Sequence, residues 1–181
     1  MEKISIRNSK NARTGLQEMI NYVKREARFP LLKIVEIGSY VGDSSKIFAK
    51  NFSSVVCIDP WVNGYDKKDA ASYQYPMNII ESQFDELCEK YSNIRKLKMT
   101  SEKAVDLFED NSLGIVYIDA LHAYKGVKKD IQLWLPKVKK GGFITGHDYQ
   151  AKFKGVIEAI EELLDGPDRI FPDTSWVKKV V

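Results

Sequence analysis

The stretch Glu36-Ile37-Gly38-Ser39-Tyr40-Val41-Gly42-Asp43-Ser44-Ser45 decides the fold. It follows Pro30 and continues Lys33-Ile34-Val35, a short β-branched run that reads as a strand ending at Gly38. Asp43 to Lys50 then reads as a helix, with small residues at its start and Ile47 and Phe48 on its apolar face. Glycines allow a sharp strand-to-helix turn and close approach of the backbone to a ligand. The helix start presents unpaired N–H groups to the same place.

Working outward, the same alternation repeats. Strand signals lie at Ser54 to Ile58, Ile94 to Met99, Gly114 to Ile118, Phe143 to Thr145 after a turn at Gly141-Gly142, Arg169 to Phe171 and Trp176 to Val180. Helical patterns lie between them at Met77 to Tyr91, Glu102 to Phe108, Gly126 to Leu135 and Phe153 to Leu164. An amphipathic helix over Thr14 to Arg28 precedes the first strand, with Leu16, Met19, Ile20 and Val23 facing a sheet or a partner. Such alternation means βαβ units, so the fold expected is α/β: three layers around a mainly parallel seven-stranded sheet, with an antiparallel addition at one edge. The 181 residues fit one domain, with residues 1–30 as a helical extension and residues 31–181 as the core.

Composition narrows the class. Hydrophobic residues make up 44% and charged residues 29%, enough apolar material for a core without disulfide or structural metal. No apolar run approaches the ~20 residues of a membrane span, and Met1 to Lys10 lack a signal-like stretch, so a cytoplasmic protein is expected. Cys57 sits in an apolar run and reads as a small core hydrophobe; Cys57 and Cys88 form no ligand cluster. The net charge of +3 and the clusters Lys24-Arg25-Arg28 and Lys137-Lys139-Lys140 suit solvated faces, and no nucleic-acid module is present.

Ligands of open parallel sheets bind beyond the carboxyl ends of the strands, where strand order reverses. The sequence places the glycine loop there after the first strand and Asp59 after the second, about twenty residues on, where an acidic side chain grips ribose hydroxyls. Asp119 and His122 follow the fourth strand; His147, Asp148 and Tyr149 follow the fifth, so both histidines fall on one rim. The loop does not meet GxGxxG, since Ser39-Tyr40-Val41 separates Gly38 from Gly42. It therefore suits a ligand with a ribose and no diphosphate.

The motif beginning at Glu36 resembles the first motif of class I S-adenosylmethionine-dependent methyltransferases, a Rossmann-like fold. Ile118-Asp119-Ala120-Leu121-His122-Ala123-Tyr124, followed by Gly141-Gly142-Phe143-Ile144-Thr145-Gly146-His147-Asp148-Tyr149, is similar to the branch related to catechol- and macrolide-type O-methyltransferases. The resemblance runs over about Leu32 to Val181 and implies S-adenosylmethionine as cofactor. It implies that Glu36 and Gly38 frame the methionine part, with Ser39, Tyr40, Gly42 and Ser44 in the same loop. Asp59 would bind both ribose hydroxyls, with Pro60 or Trp61 near the adenine and Ser101 and Glu102 bracketing it. Asp119 would stand where sulfonium and acceptor meet. The macrolide-type pattern has two adjacent aspartates for magnesium after the fifth strand; this chain has His147-Asp148.

Two mechanisms follow. His122 or His147 removes a proton from an oxygen or nitrogen of a small-molecule acceptor near neutral pH. Alternatively, a divalent cation such as magnesium is held by Asp119 and Asp148, with His147 or His122 as a further ligand. Two other classes share the fold: a nicotinamide oxidoreductase, which this chain's glycine spacing disfavours, and a nucleotide-binding or interaction module without turnover. Nucleic-acid base methylation is disfavoured too, because Ile118-Asp119-Ala120-Leu121 is not an Asn/Asp-Pro-Pro-aromatic turn and no Pro-Cys nucleophile is present. The long stretch Trp61 to Pro76, with Tyr65, Tyr73 and Tyr75, reads as an acceptor-binding lid. The sequence leaves the acceptor and the oligomeric state open.

Overall fold

The computed structural model describes residues 4–7, 10–65 and 72–181. The chain runs α1 (Lys10–Glu26), β1 (Lys33–Ile37), α2 (Asp43–Ala49), β2 (Ser54–Asp59), α3 (Met77–Lys90), β3 (Ile94–Lys98) and α4 (Ser101–Ala104). It continues with β4 (Leu113–Ile118), α5 (Tyr124–Trp134), β5 (Val138–Gly146), α6 (Lys154–Leu164), β6 (Arg169–Ile170) and β7 (Trp176–Lys179). The strands form one seven-stranded sheet in the order β3-β2-β1-β4-β5-β7-β6. The first five are parallel, while β7 is antiparallel to both β5 and the two-residue β6 outside it.

Period-two side-chain direction divides the core into two layers. Ile34, Val55, Cys57, Ile115 and Tyr117 face one side, packed with Leu16, Met19, Ile20 and Val23 of α1, Phe48 of α2 and Ile80 and Phe84 of α3. Val35, Ile37, Val56, Ile58, Val116 and Ile118 face the other, against Ala104 of α4, Val127, Ile131 and Trp134 of α5 and Val156, Ala159 and Ile160 of α6. Each large aliphatic side chain so buried contributes about 1.5–3 kcal/mol. The N-terminal helix thus covers a sheet face of its own chain, and it begins at Lys10, a turn earlier than the apolar pattern suggests.

One expectation fails. Gly141-Gly142 does not turn the chain into a strand but lies within β5. The register of β5 on β4 shifts between Leu113 and Ile115, paired with Val138 and Phe143 respectively. A Cβ on Gly142 would lie 2.7 Å from the Gly114 carbonyl oxygen, so the glycine permits this irregularity.

The strand order reverses between β1 and β4, which opens a crevice beyond their carboxyl ends. No helix among the described residues is long and apolar enough to cross a membrane.

Candidate active site

The two loop glycines have different tasks. Gly38 has φ +86°, and a Cβ there would lie 2.1 Å from the Asp119 carbonyl oxygen. Its N–H donates to Ile58 (2.9 Å), while the Asp119 N–H donates to Ile37 (2.8 Å), so three strand ends are drawn together at this one residue. Gly42 has φ +88° at the start of α2, and a Cβ would lie 2.5 Å from Leu87 Cδ2. It lets α3 pack closely and does not line the crevice.

The crevice holds a cavity of about 240 Å³. Of the residues singled out from sequence, Gly38, Tyr40, Asp59, Pro60, Ser101, Glu102 and Asp119 line it. Asp59 Oδ2 accepts the Tyr40 N–H (2.9 Å) and Oδ1 the Trp61 N–H (2.7 Å), which fixes the carboxylate at the mouth. The Ser39 N–H also bonds this carboxylate, which leaves lone-pair capacity for a hydroxyl donor. Burial raises the Asp59 pKa above the ordinary carboxyl value, against these backbone hydrogen bonds.

The remaining motif residues lie outside the cavity lining. Glu36 is fully buried and accepts hydrogen bonds from the Ser44 and Ser45 hydroxyls and from Cys57 Sγ at 3.4 Å. Burial pushes its pKa up in spite of the hydroxyls. Glu36 and Ser44 therefore tie β1 to the start of α2 beneath the loop, with Ser39 buried beside them. Trp61 turns into the core: its Nε1 donates to the Tyr40 carbonyl (2.9 Å) and its ring packs on Phe84. In the lid stretch, Tyr65 lines the cavity, Tyr75 packs on the core and Tyr73 is exposed, while residues 66–71 lie outside the described residues.

At the ends of β4 and β5 the charged side chains close on one another. His122 Nε2 lies 2.8 Å and His147 Nδ1 3.2 Å from Asp148 Oδ2; His147 Nδ1 is also 3.7 Å from Asp119 Oδ1. His147 Nε2 is buried and has no hydrogen-bond partner among the described residues. Burial opposes charge on His147, but the carboxylates of Asp119 and Asp148 outweigh it and raise its pKa above the ordinary histidine value. Burial likewise opposes charge on Asp148, yet its hydrogen bonds to both imidazoles hold its pKa well below the carboxylate range. The ligand atoms that lie within 4.8 Å of one another come from Asp119, His122 and Asp148, with His147 outside that group. Two carboxylates and an imidazole are a donor set that a divalent cation accepts.

Sequence reasoning missed Arg7. Its guanidinium is buried and donates to Asp119 Oδ2 (2.8 Å), the Tyr117 hydroxyl (2.8 Å) and Asp173 Oδ2 (3.2 Å). The segment carrying it is fastened by Asp43, whose Oδ2 accepts from the Ser5 hydroxyl and the Ile6 and Arg7 N–H groups. No local pattern marks an arginine more than a hundred residues from its partners. Thr100, Lys129 and Asp130, also in the cavity wall, were missed as well.

With this geometry in hand, comparison with known proteins is specific. A family model described as a methyltransferase domain matches residues 35–149, from within β1 to just beyond β5. The chain belongs to this methyltransferase family. Membership implies S-adenosylmethionine as methyl donor. The chain is 29% identical over 125 residues to an uncharacterised protein of Acanthamoeba polyphaga mimivirus, covering 66% of this chain and 52% of that one. It is 33% identical over 61 residues to an uncharacterised protein of Sinorhizobium fredii, covering 34% of this chain and 7% of that one. The chain thus spans about half the length of one curated relative and a small part of the other. Its fold is similar to that of the O-methyltransferase NovP, with a TM-score of 0.66 at 15% identity over 93% of this chain and 77% of that one.

Proposed function

We propose that this methyltransferase domain transfers the methyl group of S-adenosylmethionine to an oxygen or nitrogen of a small molecule, with His147 removing the acceptor's proton. The observation that carries the reading is the position of Asp119. It lines both the large cavity and the narrow crevice that contains His122, His147 and Asp148, so acceptor and cofactor sites meet at one carboxylate.

The residues fit the cofactor. Asp59 keeps free lone pairs at the mouth of the cavity, and Gly38 keeps the loop backbone flush with the strand ends. Asp59 holds the ribose, and Ser101 and Glu102 border the base. The bound cofactor supplies a sulfonium whose methyl is already activated, so the protein's work is orientation and proton removal. His147 takes the proton at Nε2, because its Nδ1 faces Asp148, which orients the ring and stabilises the imidazolium that forms. Its raised pKa suits a base working near neutrality. Acceptor binding opens the narrow crevice toward Nε2.

The experiment is single-turnover methyl transfer by His147→Ala with an acceptor found by screening. Turnover should fall 10²–10⁴-fold, the usual worth of a positioned base, with cofactor binding unchanged. Full turnover would overturn the assignment. The Asp119, His122 and Asp148 cluster supports a second reading, in which these side chains hold a divalent cation that lowers the acceptor's pKa. Activity unchanged in excess chelator would remove it.

A further inference from the structure

Asp119 carries the proposed function, and what fixes its side chain comes from the far end of the chain. Among the described residues its carboxylate accepts a single hydrogen bond, from Arg7 Nη2 to Oδ2 at 2.8 Å. Oδ1 lies 3.7 Å from His147 Nδ1, an ion-pair distance but too long for a hydrogen bond. The side chain is 17% exposed, so the carboxylate has room to turn toward water once that one bond is gone.

Arg7 is held more firmly than the carboxylate it binds. Tyr117 and Asp119 are two residues apart on β4 and its end, so they share a face and Nη2 donates to both. Nη1 donates to Asp173 Oδ2, and Asp173 is itself locked by the Ser175 N–H at Oδ1 and the Ser175 hydroxyl at Oδ2. The backbone that carries Arg7 is fastened as well. The Ile4 N–H and carbonyl both bond the Gln83 amide of α3, and Asp43 takes three donors from Ser5, Ile6 and Arg7. The segment therefore joins the start of α2, directly after the glycine loop, to the carboxylate where the two sites meet. Apolar side chains filling the same space are often as stabilising as a buried ion-pair cluster, so stability alone does not account for an arginine here.

We propose that Arg7 is a positioning residue: the N-terminal segment delivers its guanidinium to Asp119 and aims that carboxylate at the sulfonium of the bound methyl donor. The inference rests on the reading of the large cavity as the S-adenosylmethionine site, with Asp119 at its reacting end. Arg7 occupies Oδ2 and leaves Oδ1 on the side of His147, where cavity and narrow crevice meet. Without the guanidinium, Asp119 and Asp173 face each other with no cation between them. Asp173 has no side-chain exposure and stays bound to Ser175, so Asp119 is the one that turns away. The negative charge that complements a sulfonium is then withdrawn from the cavity.

The test is calorimetric binding of S-adenosylmethionine and S-adenosylhomocysteine, which differ by the methyl group and its positive charge, to the full chain, Arg7→Met, Asp119→Asn and the double variant. Thermal melts establish that each is folded. A merely structural role would weaken both ligands alike and leave the ratio of their affinities where it was. Positioning predicts that Arg7→Met shifts the ratio against S-adenosylmethionine by about threefold or more, a modest share of what a unit charge contributes at close range near a protein surface. Asp119→Asn should shift it the same way, and the double variant no further, because Arg7 acts through Asp119. An unchanged or opposite shift in a folded Arg7→Met would overturn the proposal, as would independent, additive shifts in the double variant. If Arg7→Met does not fold, Asp43→Ala unfastens the segment and leaves the cluster intact; it should shift the ratio in the same direction, and an unchanged ratio there would also overturn the proposal. Absence of binding of both ligands to the unsubstituted chain would instead overturn the cofactor reading, and this inference with it.

Discussion

The two halves of the rim make opposite use of buried charge. Around β2, β3 and α5, carboxylates keep lone pairs toward open space: Asp59 and Asp130 both line the cavity while accepting hydrogen bonds from the protein. Around β4 and β5, the charged groups face each other. Arg7 holds Asp119 and Asp173, and Asp148 takes both histidines, beside a crevice of about 10 Å³. The first half is built to receive a ligand as it stands. The second is held shut by its own ion pairs, with His147 Nε2 buried and without a hydrogen-bond partner among the described residues. Preformed space on one side and self-satisfied charge on the other fit an order in which the cofactor binds first and the acceptor displaces internal contacts.

This contrast can be broken at Arg7. Arg7→Met removes the cation from between Asp119 and Asp173, and Asp173's side chain has no exposure. Uncompensated buried charge costs about 3–5 kcal/mol, so chemical denaturation should show a loss near the lower figure. A loss below about 1 kcal/mol would mean that the N-terminal segment does not seal this half of the rim.

A smaller effect sharpens the comparison on the histidine side. The carboxylates raise the His147 pKa, and a general base must be neutral to act, so the acid limb of kcat/KM should lie above the ordinary histidine value. Asp148→Asn removes one of the charges responsible and should move that limb to lower pH by about one unit, which is about 1.4 kcal/mol. The linked stability has a definite sign: the raised His147 pKa stabilises the fold at low pH, and that contribution fades as pH rises through the folded value. A limb that does not move would remove His147 from the titrating step.

The sheet was legible in sequence because its strands are short apolar runs bounded by glycine, proline and aspartate, and Lys33–Ile37 is the clearest case. The glycine pair in β5 misled because a glycine pair is the same signal for a turn and for a strand irregularity, and only the register against β4 separates them. Of the site, residues immediately after strand ends were readable, since topology alone brings Gly38, Asp59, Asp119 and His147 to one rim. Which of them face open space was not. Glu36 and Trp61 adjoin the same loops yet turn into the core, a difference decided by packing partners such as Ser45 and Phe84. Arg7 and Asp130 were invisible for another reason: their partners are long-range, and a polar N-terminus or a helix aspartate has no local signature.

The most direct test of the account is calorimetric binding of S-adenosylmethionine, with S-adenosylhomocysteine alongside, to this chain and to Asp59→Ala. The account predicts micromolar binding that weakens by about 1.5–3 kcal/mol in the variant, the usual worth of hydrogen bonds to a charged group. Absence of binding for both ligands, or equal binding by a folded Asp59→Ala, would contradict it.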